Sequence, residues 1–128
     1  MAHHYKALTY EPKISGVRDG SIRQTIRPKP RREINVGDTI TFHGWQGKPY
    51  RSPWSWRHDV VVWSTTRLGV HEWGLETNLT GPMAWECGWS DRLAALDGIV
   101  PPTGLALRDA LKGKNGKGWE GEYIVIQW

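Results

Sequence analysis

Cysteine, phenylalanine and methionine are scarce in this chain of 128 residues, which contains one, one and two of them respectively. The single cysteine, Cys87, excludes an intrachain disulfide and a zinc site built from cysteines, and it is typical of a reducing compartment. No hydrophobic run reaches the length of a membrane span or of a signal-peptide core. The sequence therefore predicts a soluble, cytoplasmic protein with no membrane partner.

Several motifs of catalysis and cofactor binding are missing as well. The chain has no glycine-rich phosphate loop, no G-x-S-x-G and no H-E-x-x-H sequence. His43, His58 and His71 share no spacing that would bring them to one metal ion. We therefore predict neither a metal site nor a cofactor.

Tryptophan, by contrast, occurs nine times, and its large side chain compensates for the modest hydrophobic content of 38%. The length fits one domain with an adequate core. We predict a single domain over residues 5–128, preceded by residues 1–4 as a disordered leader or a remnant of vector sequence. Residues 46–57 combine prolines, aromatics and cations, and we predict that they form a loop insertion.

Positive charge is concentrated in one short stretch. Six cations and a single acid, Asp19, lie between residues 18 and 32, so this stretch carries +5 in a chain whose net charge is +4. A local basic cluster favours a polyanionic or phosphate-bearing ligand, and the alternative is a solvated basic loop. The six cations are Arg18, Arg23, Arg27, Lys29, Arg31 and Arg32.

A basic strand is predicted over residues 22–27, where side chains alternate in character. Its core face would carry Ile22, Gln24 and Ile26, and its cleft face Arg23, Thr25 and Arg27. Arg23 and Arg27 are suited to bind a phosphate bidentately, with Lys29 adding charge. The alternative is an internal ion pair with an acidic neighbour such as Glu86 or Glu122.

The other elements follow from periodicity and turn residues. Strands are predicted at residues 5–10, 39–45, 59–67 and 122–128, and helical turns near residues 14–17, 83–88, 91–96 and from 103 or 104 onward. Ile40 and Phe42 would point inward, Ser90 would cap the helix that follows it, and Trp63 and Trp128 would lie in the core. The order of these predicted strands and helices along the chain is typical of an α+β domain.

The segment around residues 45–57 interleaves aromatic and cationic side chains. This composition favours stacking of nucleobases beside a backbone-binding groove, and the alternative is a loop held on the domain by its own aromatics. We favour the second interpretation for Trp45 and Trp56 and leave both open for Trp54. The segment contains Trp45, Lys48, Tyr50, Arg51, Trp54, Trp56 and Arg57.

Three motifs together resemble a known family. Gly20 followed by residues 25–27 (TIR), and then residues 36–38 (VGD) before a strand, resemble the signature of ASCH domains, which belong to the PUA-like superfamily of small β-barrels. Residues 84–90 (AWECGWS) look like the second motif of that family, an acidic residue before Gly-aromatic-Ser. Residues 123–128 (YIVIQW) look like its last barrel strand. The resemblance covers roughly residues 5–128.

The resemblance implies a cleft between the basic strand and the second motif, used for RNA or modified nucleosides. One branch of the family hydrolyses the amide of acetylated cytidine with a lysine, a threonine and a glutamate. Thr25 matches the threonine, but Ile22 stands at the lysine position and Cys87 at the glutamate position, with Glu86 one residue earlier. Arg23 cannot replace the lysine as a base because arginine stays protonated. We therefore expect little or no hydrolysis of acetylcytidine.

The sequence thus predicts an α+β, PUA-like (ASCH) small β-barrel of about five to six strands with short helices packed at its side. The predicted function is binding of RNA or a nucleotide-like ligand in the basic cleft. The alternatives are a hydrolase acting on a modified nucleoside, a ribonuclease, and a phage or mobile-element accessory protein that binds another protein. The oligomeric state is left open. Predicted binding residues are Arg23, Arg27, Lys29, Arg31, Arg32, Trp54 and Trp89, and the catalytic residues of a hydrolase would be Thr25, Glu86 and Arg23.

Overall fold

The computed structural model describes residues 2–9, 11–77, 80–115 and 118–128, except for the side chains of residues 114 and 115. Within these ranges it contains eight strands and three helices, which confirms the α+β class and exceeds the five to six strands that we predicted. In chain order the elements are β1 (His3–Ala7), α1 (Glu11–Asp19), β2 (Gln24–Pro28), β3 (Thr39–Trp45), β4 (Trp54–Val61), β5 (Ser64–His71), β6 (Gly74–Thr77), β7 (Gly81–Ala84), α2 (Gly88–Leu96), α3 (Gly104–Asn115) and β8 (Gly121–Gln127).

The strands form two sheets. The first has the order β1-β3-β4, with β1 parallel and β4 antiparallel to β3. The second is antiparallel throughout and has the order β2-β8-β5-β6-β7. The described strands do not close into a barrel, and the chain instead passes from one sheet to the other after β4. At this crossing Val62 N–H donates to Asp38 O (2.9 Å) and Trp63 N–H donates to Gln127 O (3.0 Å).

Strand β8 has a hydrophobic core on each of its faces. Tyr123 and Val125 pack in a core that β8 shares with helices α2 and α3. Ile126 packs in a second core, which contains residues of α1 and β3. Ile124 and Trp128 lie against that second core as well, in agreement with the core position predicted for Trp128. Because side chains alternate along a strand, a central strand with apolar residues on both faces joins the two cores.

The apolar run at residues 59–67 is divided between two strands, whereas the sequence indicated one. Strand β4 ends at Val61 and β5 begins at Ser64, and the side chain of Trp63 between them is 64% exposed instead of lying in the core. The backbone passes from one sheet to the other at Val62 and Trp63, and it remains hydrogen-bonded to both sheets through these two residues. A crossing of this kind needs no glycine or proline, so the sequence carries no turn signal for it.

Residues 3 and 4, which were predicted to belong to a leader, lie in the first strand, and residue 1 lies outside the described residues. Strand β1 begins at His3, and the buried His4 donates from Nε2 to Asp38 Oδ2 (2.9 Å). Asp38 also accepts hydrogen bonds from Ala2 N–H (3.0 Å) and Asn35 N–H (2.9 Å). The predicted loop insertion of residues 46–57 is likewise shorter than expected, because β4 already begins at Trp54.

Helices α1, α2 and α3 confirm three of the predicted helical segments, but residues 83–87 of the fourth form the end of β7 and a turn, and Gly88 begins α2. Ser90 is not the cap of α2, since Cys87 occupies that position and the Ser90 hydroxyl donates to Ala84 O (2.9 Å). Gly104 N–H donates to Asp91 Oδ1 (2.7 Å), which holds the start of α3 on α2.

Candidate functional site

Thr25 lies at the meeting point of three segments that are distant in the sequence. Its side chain is only 2% exposed, and its Oγ1 accepts a hydrogen bond from Lys13 Nζ (2.9 Å). The same ammonium donates to Asp97 Oδ2 (3.0 Å), with which it forms a nearly buried ion pair. Helix α1 supplies the lysine, β2 the threonine and the end of α2 the carboxylate. We call Lys13, Thr25 and Asp97 the Lys13 cluster.

Local folding places each member of the cluster. In α1, Ile14 and Val17 are buried against the core, and this orientation brings the neighbouring Lys13 over β2. Asp97 is the C-cap of α2, and Gly98 after it adopts a φ of +77°, which favours glycine. A carboxylate at the negative end of a helix is unfavourable by itself. The ammonium of Lys13 compensates for this charge.

Arg27 adds a second cation beside the cluster. It lies two residues after Thr25 and therefore on the same face of β2. One guanidinium nitrogen donates to Ala7 O (3.1 Å), while its buried Nε has no hydrogen-bond partner in the described part of the chain. Lys13 and Arg27 together carry one positive charge more than Asp97 balances. This excess favours an anionic or strongly polar ligand.

Burial changes the acid–base properties of Lys13. Removal from water lowers the pKa of its ammonium, the carboxylate of Asp97 raises it, and the charge of Arg27 lowers it again, with a net lowering. A lowered pKa increases the fraction of the amine that is neutral at a given pH, so Lys13 is more readily available to accept a proton than a lysine on the surface. A hydroxyl hydrogen-bonded to such an amine is an arrangement found in nucleophilic catalysis.

A cavity of about 420 Å³ adjoins the cluster. Lys13, Asp97 and Thr9 are its polar members, and the rest of its lining is apolar. Ligand pockets of proteins commonly combine an apolar wall with a few convergent polar groups, and volumes of about 300–1,000 Å³ accept small organic ligands. The apolar lining consists of Leu8, Ile26, Ile99, Val100, Ala106, Leu107, Ala110 and Leu111.

The predicted cleft residues do not meet in a single cleft. Thr25 and Arg27 share a face of β2 as predicted, but Arg23 precedes the strand, is exposed and donates from Nε to Gly20 O (3.2 Å). Glu86 is exposed in the turn before α2. Trp89 lines a separate groove with Gln24, which points to the opposite face of β2 from Thr25. Neither Glu86 nor Trp89 therefore faces Thr25, in contrast to the prediction.

The remaining predicted cations lie elsewhere on the surface. Lys29 and Arg31 line a groove of about 590 Å³ together with Arg67. Glu122 in this groove lies 3.4 Å from Lys29 Nζ and 3.6 Å from Arg67 Nε, so part of the positive charge is neutralised by the internal pairing that we considered as the alternative. Arg32 donates to His3 O (3.1 Å).

Trp54 lies on the outer side of the three-stranded sheet, where its ring stacks on His43 with centroids 4.3 Å apart. Trp56 packs instead against the core, which agrees with the structural role favoured for that residue.

Sequence reasoning missed Lys13 and Asp97. Each residue stands directly beside a segment that was predicted to be helical, but the two are 84 positions apart, so no motif connects them. One signal was available for Asp97, namely that an acid at the C-terminus of a predicted helix requires compensation. For Lys13 the sequence offers no comparable signal.

Comparisons of the chain with protein-family models, with curated proteins and with solved structures gave no match. In the part of the chain that the structure describes, no helix is long and apolar enough to cross a membrane. The same residues contain no group of three or more histidine, cysteine or acidic side chains that is arranged to hold a metal ion.

Proposed function

We propose that this chain is an ASCH-like protein of the PUA-like superfamily that binds RNA or a nucleotide-like ligand at the Lys13 cluster. The observation that carries the proposal is the buried, net cationic group of Lys13, Asp97 and Arg27 next to a largely apolar cavity of about 420 Å³. A flat base fits an apolar wall, and the cations are suited to its polar edge or to a phosphate.

The family assignment is supported by the position of the motifs in the fold. Residues 25–27 lie in β2 directly after α1, and residues 36–38 form the turn that leads into β3. The passage of the chain between its two sheets at Val62 and Trp63 supports a barrel-like arrangement of the PUA type.

The test is calorimetric titration of nucleosides, nucleoside monophosphates and short RNAs into the wild type and into Lys13→Met. Charge-assisted hydrogen bonds contribute about 1.5–3 kcal/mol, so we expect Lys13→Met to weaken binding roughly 10- to 150-fold. Lys112→Met, which removes an exposed lysine of α3, is the control and should bind as the wild type does. Circular dichroism verifies that both variants are folded. Wild-type binding that survives in Lys13→Met would refute the location of the site, and no wild-type binding would refute the function.

A second function, hydrolysis of an amide on a modified nucleoside, is favoured by the 2.9 Å contact between Lys13 Nζ and Thr25 Oγ1. Our expectation of little activity assumed that no lysine reaches Thr25, because Ile22 occupies the family position. Lys13 provides such a lysine from α1, and Asp97 provides a carboxylate. The physical reason for expecting inactivity is thereby weakened, although the residues differ from those of the family pattern.

The corresponding reaction uses groups that are already in contact. In its unprotonated form, which the lowered pKa makes more accessible, Lys13 would take the proton of the Thr25 hydroxyl while Oγ1 bonds to the amide carbon, and Arg27 lies on the side of the strand where it would stabilise the oxyanion. The ammonium of Lys13 then returns the proton to the leaving nitrogen as the C–N bond breaks. Water hydrolyses the resulting ester and restores Thr25.

Release of cytidine from acetylcytidine tests this second function. Turnover that is lost in Thr25→Ala and Lys13→Met but partly retained in Thr25→Ser would support a threonine nucleophile. If the wild type binds acetylcytidine without turnover, the chain is a binding protein and the hydrolase is excluded for this substrate.

A further inference from the structure

The outer side of the three-stranded sheet carries a continuous group of aromatic rings. His3 stacks on Tyr5 with centroids 4.6 Å apart, Tyr5 lies 6.0 Å from Trp54, and Trp54 stacks on His43. Trp45 lies edge-on to His43 at 5.0 Å and 5.2 Å from Tyr50 of the following loop. We call this surface the aromatic face; its members are His3, Tyr5, His43, Trp45, Tyr50 and Trp54.

The aromatic face is open to solvent at its two tyrosines. Tyr5 is 58% and Tyr50 91% exposed, and Trp54 is half-buried by its neighbours. The opposite side of the same sheet carries Ile40 and Phe42, which are fully buried in the core. On the outer side His43 is buried beneath Trp54, whereas burial in the protein does not account for the exposed rings of Tyr5 and Tyr50.

Polar contacts hold the ring of His3, on which Tyr5 stacks. His3 Nε2 lies 2.6 Å from Thr41 Oγ1, and this hydroxyl donates to Asp59 Oδ1 (2.7 Å). Asp59 in turn accepts hydrogen bonds from Arg57 at 3.1 and 3.0 Å. A surface whose side chains are fixed in advance loses less conformational entropy when it binds a ligand.

The charges around the aromatic face are predominantly positive. Arg57 lies 5.8 Å above the Trp54 ring, and its charge is offset by Asp59. Arg32 bonds to the backbone of His3 at the edge of the sheet, and Lys48 and Arg51 are exposed in the loop that carries Tyr50. Among the described residues, Arg32, Lys48 and Arg51 form no ion pair with an acidic side chain. Flat rings bordered by unbalanced cations complement a chain of bases and phosphates.

We propose that the aromatic face binds a single-stranded nucleic acid by stacking unpaired bases on Tyr5 and Trp54, with phosphates near Arg32, Lys48 and Arg51. Bases within a duplex have no free ring faces for such a surface, and a non-polar protein partner would gain nothing from the cations. This inference does not depend on the Lys13 cluster, which lies at a different part of the fold and takes its groups from α1, β2 and α2.

The test uses fluorescently labelled oligo-dT and oligo-U of 12 nucleotides and a 12-base-pair DNA duplex, with anisotropy measured in 50 and 200 mM salt. We expect the wild type to bind both single strands, more weakly at the higher salt, and to bind the duplex at least tenfold more weakly. Tyr5→Leu and Trp54→Leu should each weaken single-strand binding about tenfold or more, and Trp54→Phe should restore part of the loss.

Two control variants distinguish binding at the aromatic face from binding elsewhere on the protein. Trp73→Leu removes a Trp ring that is exposed like Tyr5 and stacks on His71 with centroids 4.8 Å apart, but on the other sheet, and it should leave binding unchanged. Lys13→Met is measured beside it as the comparison for the other surface, since it weakens oligonucleotide binding only where the strand contacts the Lys13 cluster. Circular dichroism verifies folding, and Tyr5→Leu changes an exposed side chain that the core does not need.

The proposal is overturned if the wild type fails to bind either single strand in 50 mM salt, or if the duplex binds equally well. It is also overturned if Trp73→Leu weakens binding as much as Tyr5→Leu and Trp54→Leu do. Loss of binding in Lys13→Met alone would assign the oligonucleotide to the Lys13 cluster instead, which would support the proposed function and refute this inference.

Discussion

The carboxylate of Asp38 accepts three hydrogen bonds, and these join β1 to the turn before β3. The backbone N–H of Asn35, the ring of His4 and the backbone N–H of Ala2 together lower the pKa of Asp38 to about 2. An unfolded aspartate has a pKa of about 3.9. A group whose pKa is lower in the folded state stabilises the protein above the unfolded pKa, and this contribution is lost as the pH falls toward the folded pKa.

We therefore predict that Asp38→Asn lowers the melting temperature at pH 5 and that the difference from the wild type shrinks between about pH 4 and pH 2. The measurement is thermal unfolding followed by circular dichroism at several pH values. Asp109→Asn, an exposed carboxylate on α3, is the control and should show no such convergence. A difference that stays constant from pH 5 to pH 2 would contradict the role of Asp38.

Single residues of the site were only partly predictable. The alternation of residues 22–27 placed Thr25 and Arg27 on one face of a strand because that property depends on neighbours in the sequence. The partners of Thr25 depend on how α1 and α2 pack over the sheet, so Lys13 and Asp97 could not be derived from spacing. Arg23 was assigned to the strand, but it lies just before β2, so the alternation of side chains along the strand does not fix its direction.

At the scale of elements, the contact between α2 and α3 depends on a glycine. A Cβ on Gly104 would overlap the carbonyl of Trp85, and the N–H of Gly104 bonds to Asp91. Trp85 itself donates from its indole nitrogen to His71 O and Glu72 O, both at 3.0 Å, so its backbone is not free to move away.

Gly104→Ala should therefore destabilise the protein by about 1–3 kcal/mol, the usual cost of an overpacked site. Gly113→Ala in the same helix is the matched comparison, because a Cβ there meets no atom within 4 Å. It should stabilise the protein by about 0.5–1 kcal/mol, since glycine is a poor helix former. Urea unfolding of the two variants measures both values, and destabilisation by Gly113→Ala or neutrality of Gly104→Ala would show that the helix contact is looser than described.

Elements with a strong local pattern were predicted well, and elements defined by tertiary pairing were not. Strands β3 and β8 and helices α1, α2 and α3 follow from periodicity and from glycine stops. The boundary between β4 and β5 is set by hydrogen bonds from Val62 to Asp38 and from Trp63 to Gln127. Such bonds connect distant parts of the chain, and a local apolar run gives no indication of them.

For the whole molecule, the shared strand β8 couples the two hydrophobic cores. Ile126 is fully buried in one of them, while the adjacent Val125 packs in the other. We predict that Ile126→Ala costs about 2–5 kcal/mol and shifts the tryptophan fluorescence and far-UV circular dichroism transitions together. Two separate transitions in the variant would show that the cores unfold independently.

Charge acts at the same scale, because the net charge of +4 arises from one cluster. If RNA binds to the basic stretch of residues 18–32, replacing Arg31 and Arg32 by alanine should make the slope of log K against log salt less steep, by about 0.7 for each phosphate contact that is lost. Arg31 lines the large groove and Arg32 is near the aromatic face, so the single variants distinguish these two surfaces. An unchanged slope in the double variant would indicate a solvated basic segment.

The central position of β8 also affects the order of events while the protein is synthesised. Gln24 of β2 pairs with Gln127, 103 positions later, and β5 needs the same strand as its neighbour. At a synthesis rate of about 5–20 residues per second, β2 leaves the ribosome on the order of 5–20 s before its partner exists. During this interval β2 and one edge of β5 have no native partner, so both are open to chaperones and to incorrect pairing until β8 emerges.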